Sequence, residues 1–255
     1  MLVLLSCAKT MSAVSKVKVP LTTIPRFQKE AAEIALQMSQ FSVYELERLL
    51  RVNAKIAVEN YKRYQAFHAE TTPELPALLA YTGIVFKRLN PKDFSAEDFG
   101  YAQEHLRLTS FCYGLLRPLD VIRAYRLDVV LPELGNQTLF SYWRSRLTDT
   151  FIEDIRSAGG ILCNLASDEM KSLFDWKRVE SEVRVVTPEF HVWKNGKLAT
   201  IVVYTKMSRG EMTRFILKNK IGNPEELKGF SWEGFEFDES LSDERKLVFI
   251  NGMGE

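Results

Sequence analysis

The chain has 255 residues, 46% of them hydrophobic and 26% charged, with a formal net charge of +1. That is the composition of a globular protein with a full core; it excludes disordered, fibrous and histone-like classes and leaves a local basic patch open. The three cysteines, Cys7, Cys112 and Cys163, are odd in number and widely spaced, so neither a disulfide framework nor a CxxC zinc site is expected, and a reducing compartment is implied.

Residues 2–5, all Leu or Val, read as a buried strand that delivers Ser6, Lys9 and Thr10 into a loop at its carboxyl end. Only five residues precede Ser6 and none is basic, too little for a secretory signal. No apolar run approaches the ~18 residues of a membrane span, so a cytoplasmic protein with no membrane partner is expected. A polar stretch to Pro25 reads as a long surface loop, a length often tied to function.

Phe27 to Met38 is a candidate helix, and Ser42 with Glu45 forms a capping box opening a longer helix to about Phe67. Ser95 with Asp98 caps another, carrying Phe99, Ala102, His105 and Leu106. After Ser110, Gly114 and Pro118 argue for a turn. A helix over Leu139 to Ser157 ends at Gly159 and Gly160, and Ile161 to Leu165 is a short strand running to Ser167, the expected cap of a segment from Asp168 to Phe174. Strands are expected next at about 183–193 and 198–205, joined by an Asn195-Gly196 hairpin turn. Ser208 with Glu211 caps a helix to about Asn219, and an aromatic, acidic tail closes on a strand near Leu247 to Ile250. Strands and helices alternate without repeats or a linker, which predicts one α/β domain with a central mixed sheet flanked by helices.

Several chemistries have no footing. There is no GxxxxGK[ST], GxGxxG or GxSxG. None of the three histidines, His68, His105 and His191, stands three residues after a glutamate, so the di-iron carboxylate signature is missing and metal storage or metal hydrolase chemistry is disfavoured; no metal site is expected. Cys112 and Cys163 sit in apolar strings as buried cysteines do; Cys7, beside Lys9, is the better thiol but shows no resolving partner.

Four constellations remain. Ser6, Lys9 and Thr10 lie at a strand's carboxyl end, where open α/β sheets place ligands, and suit a phosphate; otherwise they form an ordinary polar loop. His105, Arg107, Tyr113, Gly114, Arg117, Asp120, Tyr125 and Arg126 surround a glycine turn, either a helix-hairpin-helix-like device gripping nucleic-acid phosphates or an Arg117–Asp120 turn serving the fold. Asn164, Ser167, Asp168 and Glu169 form a strand-to-helix junction whose amides suit an anion, although the two acids fit dipole compensation or pairing with a cation better. From Lys194 to Lys220 there are seven cations against one acid, a net of +6, and from Glu225 to Glu255 nine acids against three cations, a net of −6. Lys206, Arg209, Arg214 and Lys218 would make a phosphate-binding surface, or a solvated face paired with the acidic tail.

Taken together, Ser6-Cys7-Ala8-Lys9-Thr10, His105-Leu106-Arg107, Tyr113-Gly114-Leu115-Leu116-Arg117-Pro118-Leu119-Asp120, Tyr125-Arg126-Leu127, Asn164-Leu165-Ala166-Ser167-Asp168-Glu169, Tyr204-Thr205-Lys206, Ser208-Arg209-Gly210 and Arg214-Phe215 resemble the YaaA-like peroxide-stress family. The resemblance implies a cytoplasmic bacterial protein that limits free iron and so Fenton damage, binds DNA, and has a single mixed α/β fold with a positively charged cleft and a helix-hairpin-helix element. Lys9, Arg117, Lys206, Arg209 and Arg214 would be the cleft's cations. Two departures stand out: Cys7 occupies a position where the family usually has proline, and Ala80-Tyr81-Thr82-Gly83-Ile84-Val85 replaces an Ala-Phe-Lys-Gly-Asp-Val string. The expected protein is a monomer that binds DNA and needs no cofactor. The competing expectation is an enzyme acting on a nucleotide or other phosphorylated small molecule, with Lys9 and Arg117 clamping the phosphate and Asp168 or Glu169 as acid/base. A closed pocket around Lys9 favours the enzyme, and an open basic groove reaching Arg214 favours DNA.

Overall fold

In the computed structural model, which describes residues 1–127, 138–194 and 196–252, the chain begins with β1 (Leu2–Leu5), then three helices, α1 (Gln28–Met38), α2 (Val43–Leu50) and α3 (Ala54–Ala66). Next come β2 (Glu74–Pro76), α4 (Ala77–Ala80), α5 (Ile84–Leu89) and α6 (Ala96–His105). The strands β3 (Leu106–Ser110), β4 (Gly114–Leu116) and β5 (Val121–Arg123) precede α7 (Leu139–Ser157) and β6 (Ile161–Leu165). Two short helices, α8 (Asp168–Lys171) and α9 (Trp176–Glu182), lead to the hairpin of β7 (Arg184–Lys194) and β8 (Lys197–Ala199). The chain ends with α10 (Val202–Asn219), β9 (Phe235–Phe237) and β10 (Lys246–Asn251).

The main sheet runs in the order β4-β3-β1-β6-β7-β10-β9, with β8 paired to β7. β3, β1, β6, β7 and β10 are mutually parallel, while β4, β8 and β9 are antiparallel additions. This is the mixed α/β sheet that the alternation predicts. β1 is central and fully buried along Leu2–Leu5, which is why its sequence is continuously apolar rather than alternating. The chain first adds β3 on one side of β1 and later β6 on the other. Strand order therefore reverses at β1, and the crevice beyond its carboxyl end is where such a sheet binds ligands.

The helix starts obey local chemistry. Both expected capping boxes form, at Ser42 with Glu45 and at Ser95 with Asp98. The long helix expected from Ser42 to Phe67 is two: Arg51 turns left-handed at φ 50°, and Asn53 caps α3 by accepting from the Ile56 amide. α10 also departs from expectation. It starts at Val202, so residues 202–205 are helical rather than strand, and Ser208 is a wholly buried residue inside the helix instead of its cap. The β7–β8 pairing sets Lys194 opposite Lys197, as a two-residue turn requires; Asn195 of that turn lies outside the described residues.

No helix-hairpin-helix forms over residues 105–126. His105 closes α6, and the chain passes directly into the β3–β4 hairpin and then β5, paired with β2. Gly114 is needed for that hairpin rather than for a phosphate: its φ is +69°, and a Cβ there would lie 2.6 Å from the Trp143 ring.

Candidate functional site

The loop leaving β1, the ends of β3 and β6, the start of α5 and the first turns of α10 line a cavity of about 310 Å3. Its polar wall carries Ser6, Lys9, Thr10, Ser167, Lys206 and Arg209, with Glu169 as the one carboxylate. Its apolar wall includes Leu5, Val85, Phe111, Leu165 and Met170. The polar groups are delivered by the strand ends: the Ser167 amide donates to Ser6 Oγ at 2.9 Å, tying the exits of β1 and β6 together. Ser167 precedes α8 as expected, but its side chain makes no capping bond. Two close approaches fix the remaining wall. Gly83 packs on Ala8, and Gly210 of α10 leaves no room for a Cβ against the Val85 carbonyl of α5.

The charged groups divide sharply. Arg107, expected at the phosphate, is buried in an ion pair with Asp154 at 2.6 Å and also donates to the Gln103 and Leu106 carbonyls. Arg117 comes directly after β4 and is not among the residues that line the cavity. It binds the fully buried Asp120 at 2.8 Å and the Ile24 carbonyl, the fold-serving turn that the spacing allowed. Arg214 forms two bonds to Asp93, at 2.9 and 2.5 Å, and caps the Leu89 and Asn90 carbonyls. The expected clamp of Lys9 with Arg117 and the expected groove reaching Arg214 therefore do not form.

The basic helix is paired, though not with the acidic tail. Lys218 and Lys220 both meet Asp98. Burial opposes the Asp98 charge, but bonds from Lys218 and the Ser95 amide hold its carboxyl at about 2.

Lys206 and Arg209 are different. No described residue bonds to either side chain, and Arg209 Nε is buried without an acceptor. Burial pulls the Arg209 guanidinium below its usual range, and the Asp168 carboxylate only partly offsets it. Asp168 itself is turned away from the cavity and paired with Lys171 at 2.5 Å, as dipole and pairing arguments favoured, whereas Glu169 lines the cavity.

The remaining expected site residues do not line the cavity. Tyr125 bridges Tyr81 and Ser110 Oγ through its hydroxyl at 2.7 and 2.6 Å, and burial raises its ionisation well above the usual range. The Tyr113 hydroxyl accepts from the Arg123 amide, and the Arg126 carbonyl accepts from Tyr64. Asn164 accepts from the Ala166 amide and so shapes the exit from β6. His105 turns to the Met1 carbonyl, below the start of β1. Burial drives the Cys112 thiol far up and pushes Cys163 to about 12, so both are inert; Cys7 lines the cavity.

Sequence reasoning missed Phe111, Met170 and the Gly83-Ile84-Val85 segment as cavity wall. The last was visible only as a glycine in an altered string. Among the described residues no three His, Cys, Asp or Glu side chains gather as a metal site, and no helix is long and apolar enough to cross a membrane.

A family model described as Peroxide stress protein YaaA matches residues 1–241. A UPF0246 protein of Bacteroides thetaiotaomicron is 98% identical, with all of both chains covered. UPF0246 proteins of Crocosphaera subtropica and Clostridium beijerinckii are 38% and 36% identical, covering 98% and 99% of this chain and 100% and 98% of theirs. A match of this extent makes the chain a member of the YaaA peroxide-stress protein family.

Proposed function

We propose that the chain serves the peroxide-stress response by binding a phosphate-bearing nucleotide in the β1–β6 cavity, in the cytoplasm, and that any lowering of free iron proceeds through that ligand rather than through iron held by the protein. One observation carries the reading: the buried, unpartnered Nε of Arg209 at a cavity wall shared with Lys206. A buried donor without an acceptor costs about 1–3 kcal/mol, and a phosphate beside the guanidinium offsets that cost through its charge. Ser6, Thr10 and Ser167 supply further hydroxyls on the same wall. If the ligand is turned over, Glu169 is the carboxylate placed to move a proton.

The size of the cavity and the internal pairing of Arg214 favour a small ligand over a duplex laid along α10. Duplex DNA is the second reading, favoured by the exposed Lys194, Lys197 and Lys206 on the β7–β8 hairpin and the first turns of α10. Titrating the protein with pyrophosphate, nucleoside monophosphates and duplex DNA at two salt concentrations separates them. The nucleotide reading expects saturable nucleotide binding that pyrophosphate competes away. Binding of the duplex alone, with a steep salt slope, would install the second reading, and binding of none of the three would remove both.

A further inference from the structure

We infer that the cavity selects a nucleoside monophosphate whose base presents two adjacent N–H donors, as guanine does, and that Glu169 is the specificity-determining residue. The inference rests on the nucleotide reading above and adds what the base must look like. The cavity's lining mixes charge with apolar surface. Lys206 and Arg209 supply a cationic end for a phosphate, while Leu165, Phe111 and Met170 supply apolar surface suited to a flat ring. Its volume of about 310 Å3 sits at the low end of the range for small-molecule sites, about 300–1,000 Å3, a size for one nucleotide.

Glu169 is the feature that phosphate binding leaves unexplained. A carboxylate on the wall of an anion site weakens anion binding unless it meets a different part of the ligand. The fold neutralises the neighbouring Asp168 with Lys171 yet gives the Glu169 side chain no hydrogen bond or ion pair among the described residues. An ionised carboxylate only accepts, and its two oxygens match a planar pair of N–H donors. Guanine's N1–H and exocyclic amine form such a pair; adenine presents an acceptor beside its amine, and hypoxanthine only one N–H.

The test compares GMP, IMP and AMP by calorimetric titration against the unmodified chain and Glu169→Gln. The Glu169 side chain is exposed and unbonded, so the variant folds. The expected order is GMP, then IMP, then AMP, with GMP at least about tenfold tighter than AMP. In Glu169→Gln that preference collapses to within about threefold, while AMP affinity is retained. Equal affinities for GMP and AMP, both competed by pyrophosphate, would overturn this inference and leave the nucleotide reading standing. Failure of every nucleotide and of pyrophosphate to bind would overturn both.

Discussion

Replacing Arg209 by Leu lowers nucleotide and pyrophosphate affinity by about ten- to a hundredfold, the worth of a charge-assisted bond to a phosphate, and leaves the folded chain at least as stable as before. The two halves of this expectation come from one geometry. The Arg209 side chain makes no bond that the fold needs, and its buried Nε and depressed ionisation mark a group held at a cost. A site residue of this kind trades stability for binding, so its removal restores what it costs. Lys206→Ala, at an exposed position, weakens binding less and does not change the denaturation midpoint. Arg214→Leu is the contrasting variant: it breaks two bonds to Asp93 and two to carbonyls, so it loses stability. Titration calorimetry and urea denaturation on the three variants check the set. Arg209→Leu that unfolds easily yet binds normally would place the guanidinium in the fold instead.

Asp154→Asn destabilises the chain by about 3–5 kcal/mol, the cost of stripping the partner from a buried charge. Asp154 receives Arg107 at 2.6 Å and both terminal nitrogens of Arg26, at 2.9 and 2.8 Å. Arg107 is 6% exposed, so the amide variant leaves its guanidinium in the core without a counter-charge. The same pair sets a pH dependence. Burial works against the Asp154 charge, but the bonds from Arg107 and Arg26 outweigh it and hold the carboxyl below its ordinary range. A carboxyl lowered on folding adds stability that is complete above its unfolded value, about 4, and is lost as pH falls toward the folded value. Urea midpoints from pH 6 downward therefore fall in the parent, and the part of that fall due to Asp154 is missing in Asp154→Asn. Parallel pH curves for the two proteins would contradict the assignment.

The sheet was legible where one local signal decides. Val and Leu without alternation mark β1 as central, and the spacing around Asn195-Gly196 sets the β7–β8 register. The boxes at Ser42 and Ser95 hold because nothing distant competes with them. Ser208 with Glu211 has the same spelling and fails, because α10 already starts at Val202, over a Val202-Val203-Tyr204 stretch that reads as strand, and Ser208 is buried inside the helix. The cations show the harder limit. Arg117 and Asp120 lie three residues apart and were legible as a pair, whereas Arg107 meets Asp154 and Arg214 meets Asp93 across 47 and 121 positions. Lys206 and Arg209 stand apart only once the fold has matched Arg107, Arg117, Arg214 and Lys218 with acids.

The most direct measurement tracks the Arg209 Nε–H resonance by nitrogen-15 NMR as pyrophosphate is added to the folded chain. The nucleotide reading predicts a shift that saturates with the binding curve and slowed exchange of that proton, while Arg107 and Arg214, already bonded, stay in place. An Arg209 signal that does not move while the ligand binds, or a shift confined to other arginines, would contradict the reading.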